Sequence, residues 1–84
     1  MIAKVKFCGI TNLEDAINAS DLGADALGFV FYSKSSRFIS PEEANKIIQK
    51  LPPFISTVGL FVNQSKSEVE EAIEACPVNL LQFH

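Results

Sequence analysis

The sequence is poor in the residues that build metal sites and disulfide frameworks. It has two cysteines, Cys8 and Cys76, and one histidine, His84. The cysteines form no CxxC pair, so no zinc set is visible. No apolar run approaches the roughly 20 residues that span a bilayer. There is no linker and no low-complexity tract. A secretion signal is missing too, because Lys4 and Lys6 alternate with apolar residues instead of preceding a long apolar segment. A cytoplasmic protein is therefore expected, in a reducing compartment where both cysteines are free thiols. Sequence alone leaves a Cys8–Cys76 bridge open. Basic residues are outnumbered, 7 against 10 acidic, for a formal net charge of −3. With no basic patch, neither nucleic acid nor a membrane is an expected partner.

What is present is hydrophobic residue, 48% of an 84-residue chain. That argues against disorder and for one small domain. Short β-branched and aromatic runs alternate with amphipathic ones. "KVKFCGI", "ADALGFVF", "FISTVGLFV" and "VNLLQF" read as strands, and the near-continuous apolar character of the second is that of a strand covered on both faces. Between them, Leu13, Ala16 and Ile17 fall at helical spacing and Gly23 is placed to stop the helix. Ala44, Ile47, Ile48 and Leu51 mark a second helix, and Val69, Ala72, Ile73 and Cys76 a third. Thr11 with Glu14, Ser40 with Glu43, and Ser67 with Glu70 match the S/T-x-x-E capping box, and Pro41 sits at a favoured first helical position. The order β-α-β-α-β-α-β implies an α/β fold with a parallel sheet, either barrel-like or doubly wound.

Sites in such folds form at the C-terminal ends of the strands. Cys8 ends the first strand there. Lys6, two residues earlier, shares its face, and a nearby ammonium would favour the thiolate. Such a thiolate could act as nucleophile or general base. The competing reading is a small buried hydrophobe, and spacing does not separate the two. Arg37 lies in the long loop Tyr32–Ser40 after the second strand, near Lys34. It could fork onto a carboxylate or phosphate, or be a solvated loop charge. His84 ends the fourth strand on the same rim and is a further candidate. Asp25, at the opposite rim, reads as structural, and Cys76 as core packing. "GADALG" opens no helix and is not a phosphate loop.

Four stretches, "KFCGIT", "GADALGFVFYSKSSRFISPEEA", "VGLFVN" and "LLQFH", together resemble the phosphoribosylanthranilate isomerases of tryptophan biosynthesis, from Ala3 to His84. The resemblance implies the first half of an eight-stranded (β/α)8 TIM barrel, with residues 1–84 as the N-terminal half-barrel of a single-domain enzyme. It implies an intramolecular aldose–ketose isomerisation, the Amadori rearrangement of N-(5′-phosphoribosyl)anthranilate, with no metal and no organic cofactor. Cys8 then matches the general base and Arg37 the residue that holds the anthranilate carboxylate. The family's general acid, an aspartate on a later strand, has no counterpart here, and Asp15, Asp21 and Asp25 are not at C-terminal strand ends. The family's phosphate loops follow strands 7 and 8 and have no counterpart either. The chain is therefore expected to be inactive alone. Its partners would be a small phosphorylated substrate and, through exposed sheet edges, a separate C-terminal half or a second copy.

Overall fold

The computed structural model describes residues 4–84; residues 1–3, including Ala3 at the start of the resemblance, lie outside it. Among the described residues, strands and helices alternate as β1 (Lys6–Cys8), α1 (Leu13–Asp21), β2 (Ala26–Val30), α2 (Pro41–Ile48), β3 (Ser56–Phe61), α3 (Lys66–Ala75) and β4 (Leu80–Phe83). The sheet is parallel throughout, in the order β1-β2-β3-β4. That order decides between the two expected architectures. A doubly wound sheet reverses its strand order at a switch point. Here each strand is added to the same side of the last, so crossovers of one hand leave the helices on one face. Buried residues of all three helices, among them Ala16, Ala44, Ile47, Val69 and Ala72, accordingly join Leu27, Phe29, Phe31 and Phe61 of the β2 and β3 segments in one core cluster.

The sheet is also strongly curved. β1 and β4 are three strand spacings apart, about 14 Å in a flat sheet. Yet Lys6 Nζ donates to Gln82 Oε1 at 2.7 Å across the face opposite the helices. Strand register puts Lys6, Cys8, Gly28, Val58 and Leu80 on this concave face, with Gln82 one alternate position beyond Leu80. The convex face is packed around aromatic rings. Phe31 and Phe61 meet edge-tilted at 5.6 Å between centroids, and Phe83 stacks on Phe61 at 5.7 Å.

The helix starts depart from expectation in two places. The Ser40 hydroxyl does accept from Glu43 N–H at 3.2 Å, with Pro41 at the first position of α2. At α1, however, the cap is Asn12, whose Oδ1 accepts from Asp15 N–H at 2.8 Å, and not Thr11. At α3 the cap is Ser65 paired with Glu68 in a full capping box, not Ser67 with Glu70. These Ser65 contacts hold the Glu68 carboxyl below its usual range. The α1 stripe also differs: Ala16 and Ala19 are buried, while Ile17 is exposed. Asp25 serves structure, as expected, its carboxylate accepting from Val5 N–H at 2.7 Å at the N-terminal rim.

Cys76 is fully buried in the core, and both cysteines are free. They stand on opposite sides of the sheet, which removes the disulfide. Burial pushes the Cys76 thiol up to about 11, with the Glu42 charge adding to the effect. An unfolded cysteine ionises near its ordinary value, so stability is retained below that value and lost as pH rises toward 11. Urea unfolding of the wild type and Cys76→Ala at pH 8 and 10 checks this. The wild type should lose about 1 kcal/mol more than the variant between the two, from a slope of about 1.4 kcal/mol per pH unit.

Candidate active site

Cys8 ends β1 on the concave face and is exposed. Two glycines shape its surroundings. Gly28, level with Cys8 on β2, lacks a side chain where one would press on the sulfur; a Cβ there would lie 3.2 Å from Cys8 Sγ. Gly28 lies inside β2, within the run "ADALGFVF" that reads as a strand. Its carbonyl accepts from both Gly9 N–H, at 3.0 Å, and Ile10 N–H, at 3.1 Å, which turns the chain sharply after Cys8. Gly9 itself takes φ +82°, a conformation that costs other L-residues strain.

Gly9 is also where the loop after β2 arrives. Ser35 N–H bonds to Tyr32 O, Phe38 N–H to Ser35 O, and Arg37 N–H to the Ser35 hydroxyl. Ile39 N–H then bonds Val30 O at 3.1 Å, so the loop folds back along the end of β2. Gln64 ties this end of β2 to β3, donating to Phe31 O at 2.9 Å and accepting from Val62 N–H at 3.0 Å. The result carries the Arg37 side chain over Gly9. A Cβ on Gly9 would collide with Arg37 Cδ and would lie 3.2 Å from Nη1. Among the described residues the guanidinium has no carboxylate partner and no hydrogen bond, so its donors are available to a ligand beside Cys8.

Lys6, Gln82 and His84 form a second group on the same face. Lys6 donates to Gln82 Oε1, and Gln82 Nε2 stands 3.2 Å from His84 Nε2. His84 N–H bonds Phe61 O at 3.0 Å, which continues the β3–β4 pairing to the rim. Gln82 was not singled out by sequence reasoning, although a polar residue inside the apolar run "LLQF" is a signal of a concave-face role. Gln64 carried no such signal.

The aspartates stay apart from this constellation. Asp15 shares with Cys8 a groove of about 280 Å³ beside β1, but its carboxylate is held by Asn12 at 3.0 Å in the cap of α1. Lys34 lies in a separate rim cavity of about 430 Å³ with Tyr32, Asn63 and Gln64. No helix among the described residues is long and apolar enough to cross a membrane.

A sequentially ordered, curved parallel sheet with helices on one face is a (β/α)8-barrel segment, and Cys8 and Arg37 lie at its C-terminal rim. The family model for N-(5′-phosphoribosyl)anthranilate (PRA) isomerase matches residues 5–84, and the chain belongs to that family. It is 57% identical over 79 residues to the N-(5′-phosphoribosyl)anthranilate isomerase of Pseudomonas putida strain W619, covering 94% of this chain and 38% of that one. The crystal structure of phosphoribosyl anthranilate isomerase from Thermotoga maritima superposes with a TM-score of 0.94 at 49% identity, covering 99% of this chain and 40% of the other. A phosphoribosyl anthranilate isomerase in complex with reduced 1-(o-carboxyphenylamino)-1-deoxyribulose 5-phosphate matches equally well, with TM-score 0.94 and 49% identity, over 99% of this chain and 43% of that one. The chain thus spans about two fifths of the length of these relatives.

Proposed function

We propose that the chain supplies one side of the phosphoribosylanthranilate isomerase site: the general base and the carboxylate clamp. The observation that carries this is the Arg37 side chain lying over Gly9, next to Cys8, in a chain of this family. In the rearrangement an acid protonates the furanose ring oxygen, and the ring opens to a Schiff base. A base then removes the proton from the sugar carbon next to the imine, giving the enol of the aminodeoxyribulose. Cys8, exposed and without a side chain pressing on its sulfur, takes that proton as thiolate. Arg37 offers its free guanidinium to the anthranilate carboxylate, where a planar fork outperforms a point charge. Lys6 shares the face of Cys8, and His84 adds a contact to the bound molecule from β4. The acid and the phosphate grip come from residues beyond those described. We assign the work to the cytoplasm, in keeping with two free thiols.

Residues 4–84 in this reading form part of one barrel domain. Exposed Val5 beside β1 and exposed Leu80, Leu81 and Phe83 on β4 support closure by further strands, whether from a separate C-terminal half or a second copy. The test compares the chain alone with the chain joined to the remaining segment of the Thermotoga relative, on N-(5′-phosphoribosyl)anthranilate. Expected are no measurable turnover alone and turnover in the joined barrel. A folded joined barrel without activity overturns the reading. A chain that sediments as a monomer at high concentration counts against closure by a second copy.

A further inference from the structure

The chain has a single histidine, and its ring meets an amide whose orientation is not free. Gln82 stands between two partners on the concave face. Its Oε1 lies 2.7 Å from Lys6 Nζ, and its Nε2 lies 3.2 Å from His84 Nε2. An ammonium has three donors and no acceptor, so the Gln82 atom facing Lys6 must be the carbonyl oxygen. The amide NH2 then faces the imidazole, and it can only donate. His84 Nε2 must therefore accept, which leaves the ring's one proton on Nδ1. The geometry points to a Lys6–Gln82–His84 chain in which Lys6 and Gln82 are positioning residues that fix His84 as the neutral Nδ1–H tautomer.

The chemical consequence is specific. The acceptor nitrogen of the ring is occupied by Gln82, so the imidazole has a donor to offer and no free base. At the rim, His84 is then a neutral hydrogen-bond donor for an oxygen acceptor on a ligand, a carboxylate, hydroxyl or phosphate oxygen. It does not compete with Cys8 for the substrate proton. That last use rests on the isomerase reading of the rim; the tautomer itself does not.

The experiment is a long-range ¹H–¹⁵N correlation spectrum of the chain without ligand, in which every imidazole signal belongs to His84. It is recorded about two pH units above the ordinary histidine value of about 6.5, where a neutral ring prevails. Nδ1 protonated and Nε2 unprotonated is the expected pattern. Gln82→Glu, which presents only acceptors to the ring, should invert it to Nε2–H, and Lys6→Met, which frees the amide to turn, should move it toward a mixture. A wild-type ring protonated on Nε2, or an even mixture, overturns the proposal without any variant. So does an unchanged Nδ1–H pattern in a Gln82→Glu chain whose backbone spectrum shows it folded. A chain that binds no phosphoribosyl substrate still reports its tautomer. Conversely, the wrong tautomer leaves the isomerase reading standing on Cys8 and Arg37.

Discussion

Replacing Cys8 by alanine in the joined barrel is expected to lower turnover by about 10²–10⁴-fold, the usual contribution of a positioned base. KM should change little, because the sulfur takes a proton and does not hold the ground state. The structure makes this a clean substitution. Cys8 is exposed, and alanine keeps its Cβ while removing only the sulfur. Stability should shift by no more than about 0.5 kcal/mol, as for surface changes generally. Steady-state kinetics on N-(5′-phosphoribosyl)anthranilate, with thermal unfolding as control, measures both. Cys8→Ser separates base from bulk, since a hydroxyl of similar size ionises far less readily and should rescue little.

Gly9→Ala should produce the other large effect, by a different route. An alanine at φ +82° costs about 1–2 kcal/mol in backbone strain. Its Cβ would also occupy the path of the Arg37 side chain, so the guanidinium must leave. Losing a charge-assisted hydrogen bond costs about 1.5–3 kcal/mol, or roughly 10–100-fold in affinity. The loss should therefore appear chiefly in KM, opposite to Cys8→Ala. Arg37→Ala should raise KM by a similar factor. The double variant Gly9→Ala/Arg37→Ala should be little worse in KM than Arg37→Ala, because both remove one interaction. Additive effects would mean that Gly9 does not act through Arg37.

Local chemistry made much of this legible in advance. The strand–helix order follows from residue periods, and the rim positions of Cys8, Arg37 and His84 follow from that order. Where two patterns overlapped, sequence chose the wrong one. "NQSKSEVEE" contains both Ser65-x-x-Glu68 and Ser67-x-x-Glu70, and α3 begins at the earlier. Asn12 caps α1 one residue after the expected Thr11, because its amide reaches Asp15 from an extended backbone. What sequence could not supply was contact across the sheet. Lys6 and Gln82 are 76 residues apart and meet only because the sheet curves. Arg37 reaches Gly9 only because the loop turns back on Val30, and the place of Gly28 under Cys8 depends on the β1–β2 register.

The central claim is that Cys8 and Arg37 work on the same bound molecule. The most direct measurement is the rate of Cys8 alkylation by iodoacetamide in the joined barrel, followed by peptide mass, with and without reduced 1-(o-carboxyphenylamino)-1-deoxyribulose 5-phosphate. Buried Cys76 serves as the internal control for unfolding. At ten times Kd only about one site in eleven is free, so alkylation should slow by about tenfold. At the same analogue concentration, Arg37→Ala should abolish most of this protection. Cys8 that alkylates at an unchanged rate with the analogue bound would contradict the account.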